Sequence, residues 1–252
     1  MIEYNIVFEL LKIAILIYYY NKNNDKVDKM NIDDNDLIDI QNYNMNIIKY
    51  YNNSEIDAQG AIIVNKEEKY ICAVFRGSES LKDFYYDTKI IKHKLKDNIY
   101  IHRGFHKNLV SSGMYDELST ELKKQIIDYP DYKIYVTGHS LGSANASLFG
   151  YLLSHEIENN IVIIAFASPR VGNYEWYKSF MNKKNLKQYR ICNNRDLVTA
   201  LPIYRYYHVG ENIQLFNNKY FLSNIDNSIF KYWRVSDHFC DSYYKNLKLI
   251  KW

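Results

Sequence analysis

The sequence predicts an α/β fold in which helices cover both faces of a mostly parallel central sheet. Short apolar runs of strand length alternate along the chain with segments of helical periodicity, which is the pattern of repeated βαβ units. Several of these runs are apolar at every position, as expected for parallel strands that are buried on both faces. The composition, with 47% hydrophobic and 24% charged residues, is typical of a globular protein.

The N-terminal region predicts a helix followed by a linker. Residues 6–20 are apolar apart from Glu9 and Lys12, and we expect a helix packed on the domain surface. The uncharged stretch at 13–20 is too short to cross a bilayer, although a weak membrane anchor or signal peptide stays open as an alternative. Residues 21–36 are polar and predict a solvated linker, since the aspartates at 33, 34 and 36 lack the spacing of a calcium loop.

The body of the chain supplies the strands and helices of the predicted sheet. No internal repeat or domain boundary is visible, so we expect one domain over residues 1–252. The helix over 109–129 should stop at Pro130. The predicted strands are 60–64, 70–75, 133–137, 161–166 and 188–192; the other helices are 141–156 and 174–181; short strands at 206–209, 213–216 and 219–222, in an antiparallel arrangement, should follow Pro202.

Charge and cysteine content exclude some classes of protein. The formal net charge of +3 is too small to indicate a nucleic-acid partner. The three cysteines, Cys72, Cys192 and Cys240, cannot form a disulfide framework and lack zinc-ligand spacing. This favours a reducing compartment or a fold that needs no bridge. A soluble location inside the cell or at a membrane surface is therefore favoured, and the oligomeric state stays open.

The most informative motif is Gly-His-Ser-Leu-Gly at 138–142, between a predicted strand and a predicted helix. A sharp strand-to-helix turn exposes the hydroxyl of a nucleophilic serine, and glycines on either side relieve the crowding. This context predicts Ser140 as a nucleophile. The main-chain amide of Leu141, at the start of the helix, should then face the reacting carbonyl group.

A nucleophilic serine needs a base, and the base needs an acid that orients it. In this architecture the order along the chain is serine, acid, histidine. His238 is the preferred base, because His155 should lie on the surface and His208 within a short strand. Asp196, which follows a predicted strand directly, is the preferred acid. Asp226 and Asp237 stay open as rival acids.

The chain resembles the class 3 lipases, the fungal triacylglycerol-lipase type of the α/β-hydrolase fold, over roughly residues 38–250. The resemblance rests on a series of short motifs that occur in the order of the family. They are Phe-Arg-Gly-Ser at 75–78 with Asp83, Phe84 and Asp87; His-Arg-Gly-Phe at 102–105; the serine motif at 137–142; Ser-Pro-Arg-Val-Gly-Asn at 168–173; Asn-Arg-Asp-Leu-Val at 194–198 with Leu201-Pro202; His-Val-Gly-Glu at 208–211; and Asp237-His238.

The resemblance implies a role for each matching residue. Ser140 resembles the family's nucleophile, Asp196 its acid and His238 its base. Leu141 and Ser78 resemble the two donors of the oxyanion hole. Residues from 79 to about 95 fall where the family keeps its lid, and they mix large apolar side chains with lysines, as a segment that turns an apolar face toward a lipid surface would. An ordinary amphipathic helix fixed over the core is the alternative for this segment.

The expected activity is hydrolysis of carboxylic esters of lipids, with acylglycerols as the first candidates. The reaction would pass through an acyl-enzyme and needs neither a metal nor an organic cofactor. The expected partners are a lipid ester as substrate and, through the lid, a transient contact with a lipid surface; no nucleic acid is expected. A phospholipase A1, an esterase of soluble esters and a non-catalytic binding or structural relative are the alternatives.

Overall fold

The central element of the computed structural model is an eight-stranded sheet. The structure describes residues 2–20, 30–78, 91–223 and 233–250. In these ranges the strands are β1 (Ile47–Asn53), β2 (Ala58–Asn65), β3 (Tyr70–Phe75), β4 (Lys92–Lys96), β5 (Ile99–His102), β6 (Lys133–His139), β7 (Ile161–Phe166), β8 (Leu186–Asn193), β9 (Glu211–Phe216) and β10 (Lys219–Ser223). The strand order in the central sheet is β1-β2-β3-β6-β7-β8-β9-β10. The helices of eight or more residues are α1 (Tyr4–Leu16), α2 (Asp34–Asn42), α3 (Met114–Asp128), α4 (Leu141–Leu153), α5 (Tyr174–Met181) and α6 (Cys240–Leu249).

The middle of the sheet is parallel, as the sequence predicts. Strands β3, β6, β7, β8 and β9 run in the same direction, while β1, β2 and β10 pair antiparallel at the two edges. The parallel strands bring their carboxyl ends to one edge, where the turns after β3, β6 and β8 meet. This edge is where open α/β sheets usually bind their ligands.

Two apolar cores lie on opposite faces of the sheet, because successive side chains of a strand point to opposite sides. In β3, Ile71, Ala73 and Phe75 face the core that contains α3, α4 and α5. Tyr70, Cys72 and Val74 face the core that contains α1 and α6. Helices therefore cover both faces, and the predicted fold class is confirmed.

The predicted N-terminal helix is present as α1, but it is buried and does not lie superficially on the domain. Eight of its side chains belong to one core of the sheet, including Leu10, Leu11 and Ala14. Its two charged residues are partnered. Glu9 accepts hydrogen bonds from the Tyr70 hydroxyl at 2.5 Å, from Asn65 Nδ2 at 2.9 Å and from Tyr43, and Lys12 pairs with Asp39. Within the described ranges, no helix combines the length and the hydropathy that crossing a membrane would require.

The predicted polar linker is wrong from residue 34 onward, where α2 begins. The Asp33 side chain caps this helix by accepting a hydrogen bond from the Asp36 amide at 3.0 Å. Asp34 and Asp36 lie in the first turn, where negative charge is favourable to the helix dipole. The aspartates are thus a helix-start signal that the sequence reading missed. Residues 21–29 lie outside the described residues.

Two other boundaries differ from the prediction. Helix α3 begins at Met114 and not at 109, because Gly113 has a left-handed φ of 87° that separates it from a preceding π-helical turn, Lys107–Ser111. The strand expected at 206–209 is absent, since Tyr207 makes only a single bridge to Gly172. The last two predicted strands are present as β9 and β10 in an antiparallel pair; the turn between them is Asn217-Asn218, both at positive φ.

The predicted lid, residues 79 to about 95, is described only at its end. Residues 79–90, including Phe84, Tyr85 and Tyr86, lie outside the described residues. Residues 92–95 belong to β4, which pairs antiparallel with β5. This part of the range is a fixed strand, and the lid itself stays a prediction, as does the single domain over residues 1–252.

Candidate active site

Ser140 lies in a sharp turn between the end of β6 and the start of α4. Its φ of 59° and ψ of −125° are rare for a residue other than glycine. Two glycines, Gly138 and Gly142, allow the start of α4 to pack directly against the main chain of the sheet. A Cβ atom on Gly142 would lie 2.1 Å from the carbonyl oxygen of Phe75, and one on Gly138 would lie 2.5 Å from the main chain of Gly142. The local sequence thus produces a strained turn that presents the serine hydroxyl at the carboxyl edge of the sheet.

The structure brings together the three residues that the sequence selects as a triad. His238 Nε2 lies 2.9 Å from Ser140 Oγ, and His238 Nδ1 lies 2.9 Å from each carboxylate oxygen of Asp196. The carboxylate only accepts hydrogen bonds, so Nδ1 carries the proton and Nε2 accepts from the serine hydroxyl. This is the tautomer in which the imidazole can take a proton from Ser140.

Each member of the triad comes from a different segment at the same edge of the sheet. Ser140 follows β6, Asp196 lies three residues after the end of β8, and His238 ends a 3₁₀ turn, Ser236–His238, that leads into α6. All three side chains are buried, with exposures of 1–2%. Removal from water strengthens the hydrogen bonds among them.

Asp196 is held by more than the histidine. One carboxylate oxygen accepts from the Val198 amide at 2.9 Å, and the other accepts from the Tyr243 hydroxyl at 2.7 Å. The Thr199 hydroxyl bonds to the Asp196 carbonyl oxygen at 2.8 Å. These bonds fix the orientation of the carboxylate toward His238. Burial, with the Asp196 charge as a further cause, raises the pKa of Tyr243 well above its usual value, so the phenol stays a donor at neutral pH.

The two expected oxyanion donors, Leu141 and Ser78, follow β6 and β3, which are neighbouring strands of the sheet. Leu141 is the first residue of α4, and the amide of a first helical residue has no acceptor within its own helix. The positive end of the helix dipole lies at this amide. Strand β3 runs parallel to β6 with Phe75 opposite Gly138. A Cβ atom on Gly77 would lie 2.6 Å from the carbonyl oxygen of His139, so the chain that leads to Ser78 passes beside the residue before Ser140.

The rival residues lie elsewhere or are otherwise engaged. His155 is exposed and bonds to the Tyr151 carbonyl oxygen. His208 is held through Nε2 to the Thr199 carbonyl oxygen at 2.8 Å, and burial, followed by the charges of Arg190 and Arg170, lowers its pKa well below the usual value. Asp237 accepts from the Arg195 amide at 3.1 Å. Asp226 lies outside the described residues.

Sequence reasoning missed two side chains that contact the triad, Tyr243 and His139. Tyr243 is one of 26 tyrosines, and nothing in its local sequence distinguishes it. His139 precedes the serine, and its Nε2 lies 2.8 Å from the main-chain oxygen of His238. Burial, and then the neighbouring His238, lowers the pKa of His139 to about 3, so its ring is neutral. The serine motif includes His139, but nothing in the motif indicates that this histidine bonds to the main chain of His238.

The arrangement can activate a hydroxyl group without a metal ion. In residues 2–20, 30–78, 91–223 and 233–250, no group of three or more His, Cys, Asp or Glu side chains could hold a metal. The three cysteines are free thiols, with Cys72 and Cys192 buried. The site has the parts of a serine hydrolase. They are a serine hydroxyl, an imidazole that can accept its proton, a carboxylate that orients the imidazole, and a helix N-terminus.

The fold and the arrangement of these groups are those of an α/β-hydrolase, and comparison with protein families specifies which kind. The family model described as "Lipase (class 3)" matches residues 72–206, just over half of the chain. The chain belongs to the class 3 lipase family. The matched region contains Ser78, Ser140, Leu141 and Asp196, whereas His238 lies beyond it.

Individual relatives agree with the family assignment. The chain is 28% identical over 216 residues to a lipase of Rhizomucor miehei, covering 77% of this chain and 58% of that one. It is 31% identical over 160 residues to a secreted mono- and diacylglycerol lipase A of Penicillium camembertii, covering 61% and 50%. The chain thus spans about half the length of these relatives.

Solved structures show the same fold. A triacylglycerol lipase, described as having a serine protease triad at its catalytic centre, is 27% identical with a TM-score of 0.71, and the match covers 80% of this chain and 82% of that one. The triacylglyceride lipase of Rhizomucor miehei matches with a TM-score of 0.77 over 93% and 92% of the two chains. Its identity of 24% supports the fold only.

Proposed function

We propose that this protein is a serine hydrolase that cleaves carboxylic esters of lipids, acylglycerols first, by acyl transfer. The observation that carries the proposal is the hydrogen-bonded series from Ser140 Oγ through His238 to Asp196, with 2.9 Å at each step. Membership of the class 3 lipase family and the names of the relatives support the choice of lipid esters over other acyl compounds.

The first half of the reaction forms an acyl-enzyme. His238 Nε2 accepts the proton of Ser140 as the serine oxygen attacks the ester carbonyl carbon. The carbonyl oxygen becomes an oxyanion, which the main-chain amides of Leu141 and Ser78 stabilise. The imidazolium then gives its proton to the departing alcohol. Asp196 keeps the imidazole in the required tautomer and stabilises the imidazolium.

The second half releases the acid. A water molecule gives a proton to His238 Nε2 and attacks the acyl carbonyl group, and the same amides stabilise the second oxyanion. The imidazolium protonates Ser140 Oγ, which leaves as the free hydroxyl. No step requires a group beyond these side chains, the two amides and water.

The burial of the triad bears on how a lipid would reach it. Ser140 is 2% exposed, so a lipid can reach the serine only if a path to it opens. We propose that the part of the predicted lid that precedes β4, residues 79–91, opens at a lipid surface and provides this path. Lipolysis would then accelerate when the substrate exceeds its solubility limit, whereas a simple esterase would follow ordinary saturation through that limit.

The deciding experiment compares wild type with Ser140→Ala on a triglyceride, a phospholipid and a soluble short-chain ester. Loss of the nucleophile should reduce hydrolysis by about 10⁴-fold or more, with an unchanged circular dichroism spectrum. Ser147→Ala is the matched control, since Ser147 is a buried serine on the same helix whose hydroxyl bonds only to the Ser143 carbonyl oxygen in the described structure. It should retain wild-type activity.

The outcomes separate the candidate functions. Activity of Ser140→Ala equal to wild type would exclude the proposed mechanism. Hydrolysis of the phospholipid in preference to the triglyceride would identify a phospholipase A1, and hydrolysis of only the soluble ester would identify an esterase. Absence of all activity, together with failure of an organophosphonate to label Ser140, would indicate a non-catalytic relative.

A further inference from the structure

The structure contains a second set of hydrogen bonds that reaches the triad from the N-terminal helix. Tyr18 lies in the turn that follows α1, with its amide bonded to the Ile15 carbonyl oxygen at 3.1 Å. Its hydroxyl lies 3.0 Å from His139 Nδ1, and the other ring nitrogen of His139, Nε2, lies 2.8 Å from the main-chain oxygen of His238. Two side chains thus connect α1 to the base of the triad.

The direction of these hydrogen bonds follows from their last acceptor. A carbonyl oxygen can only accept, so His139 Nε2 carries the proton and donates to His238. Nδ1 of the same neutral ring is then bare, and it accepts from the Tyr18 hydroxyl. The two hydrogen bonds point in the same direction along the series, so each one polarises the imidazole in the sense that strengthens the other. The Tyr18 hydroxyl thereby fixes the tautomer of His139.

Tyr18 also contacts the segment that carries the second oxyanion donor. Its oxygen interacts with the main chain of Gly77, the residue before Ser78. A Cβ atom on Gly77 would lie 1.9 Å from this oxygen and 2.6 Å from the carbonyl oxygen of His139. Any side chain at position 77 would collide with the Tyr18 hydroxyl, so the glycine of the Arg-Gly-Ser motif is required for this contact.

The ring of His139 is enclosed by groups of the site. Its centroid lies 6.0 Å from that of Tyr18, 4.8 Å from that of His238 and 5.6 Å from that of Tyr243. His139 itself is 3% exposed. Helix α1, from which Tyr18 extends, is anchored by its own buried side chains, so the phenol projects from a rigid support.

We infer that Tyr18 and His139 are positioning residues, which hold the Ser78 segment, the serine turn and the backbone of His238 at a fixed spacing. This inference rests on the proposed function, because it assigns His238 the role of base. Neither residue exchanges a proton with the substrate. Their contribution is to keep the base and the oxyanion donor where the transition state requires them, so their loss should lower kcat and leave KM unchanged.

The test uses three variants of the full chain. Tyr18→Phe removes the hydroxyl and keeps the ring. His139→Leu removes the donor to His238, whereas His139→Gln keeps an amide donor that can reach the same carbonyl oxygen. The matched control is Tyr4→Phe, because Tyr4 lies on α1, the helix that precedes Tyr18, and its hydroxyl donates to the Leu247 carbonyl oxygen at 3.2 Å.

The readouts are kcat and KM for a soluble short-chain ester and the rate of inactivation by an organophosphonate. Tyr18→Phe and His139→Leu should each lower kcat and the inactivation rate by about 5- to 10-fold, with KM unchanged. His139→Gln should recover most of the loss, and Tyr4→Phe should match wild type. Thermal unfolding of each variant shows whether the fold is retained; should His139→Leu not fold, Tyr18→Phe and His139→Gln decide the question.

Three results would overturn the inference. They are wild-type kcat in Tyr18→Phe and His139→Leu, a change confined to KM, and a fall in kcat that Tyr4→Phe reproduces. Ser140→Ala is run beside these variants. An inactive Ser140→Ala protein with fully active Tyr18→Phe and His139→Leu proteins would refute the positioning role alone. An active Ser140→Ala protein would refute the proposed function and, with it, this inference.

Discussion

At the residue scale, the acid of the triad depends on one neighbour close in sequence and on two that are distant. The carboxylate of Asp196 is bound by the Val198 amide, the His238 ring and the Tyr243 hydroxyl. The same Tyr243 oxygen accepts from the Asn193 amide at 3.0 Å. A single phenol thus ties the end of β8 to the acid, and it does so from a position that is fully buried.

Tyr243→Phe should therefore affect both stability and activity. Loss of the hydroxyl leaves the buried Asn193 amide without this acceptor, which should lower the free energy of unfolding by about 1–3 kcal/mol. It also frees one side of the Asp196 carboxylate, so kcat should fall by about 10-fold. Urea denaturation and kcat on a soluble ester measure the two effects.

Tyr244→Phe is the control for this prediction. The Tyr244 hydroxyl bonds to Asp36 Oδ1 of α2 at 3.3 Å, away from the triad, so its removal should leave kcat unchanged. Equal kcat in the two variants would mean that Tyr243 has no role in orienting the acid.

At the element scale, the site depends on how closely α4 approaches β3. The main chain of Gly142 packs directly against that of Phe75, and this contact places the N-terminus of α4 beside the end of β3. This close approach brings the start of α4, where Leu141 lies, next to the chain that leads from β3 toward Ser78. Hydrogen bonds from Ser143, both main chain and hydroxyl, to the Ser140 carbonyl oxygen stabilise the first turn of the helix.

Gly142→Ala should disrupt this element, because the added Cβ meets main-chain atoms that cannot rotate away. We expect loss of activity and a destabilisation of at least about 2–3 kcal/mol. Activity and thermal unfolding provide the measurements.

Gly113→Ala separates the steric effect from the backbone effect. Gly113 has a φ of 87°, and a Cβ there would meet nothing within 4 Å. This variant should lose only about 1 kcal/mol and keep wild-type activity. A Gly142→Ala protein as stable and active as Gly113→Ala would contradict the close-packing account.

At the scale of the whole molecule, the lowered pKa values of two histidines, His139 and His208, couple stability to pH. The pKa of His139 is lowered to about 3 and that of His208 well below 6.5, in both cases chiefly by burial. Between these values and about 6.5 the unfolded chain binds protons that the folded chain excludes. The stabilising contribution is complete above about pH 6.5 and is lost progressively as the pH falls toward the folded-state values.

The free energy of unfolding should therefore decrease between about pH 6.5 and pH 5 by up to about 1.4 kcal/mol per pH unit for each of these histidines. His139→Gln removes one of the two groups and should reduce this slope by roughly one proton. Urea denaturation across this pH range measures the slope. A slope identical in wild type and His139→Gln would contradict the burial of a neutral imidazole at position 139.

The sequence alone determined the fold class and made Ser140, Asp196 and His238 the preferred candidates for the triad. Strands that are buried on both faces have to be apolar. A sharp strand-to-helix turn at a serine requires glycines two residues before and after it. Both requirements concern a few adjacent residues, so the sequence shows them directly. The order of serine, acid and histidine then restricted the partners.

Only the tertiary structure decided which side chains support those three residues. The supporting side chains are Tyr18, His139 and Tyr243, and their hydrogen bonds join segments that are 47 to 121 residues apart in the chain. Hydrogen bonds of this kind leave no local pattern, because any buried tyrosine or histidine has the same need for a partner. The burial of α1 likewise depended on the tertiary structure, because this helix covers one face of the sheet. The start of α3 depended on the left-handed conformation of Gly113.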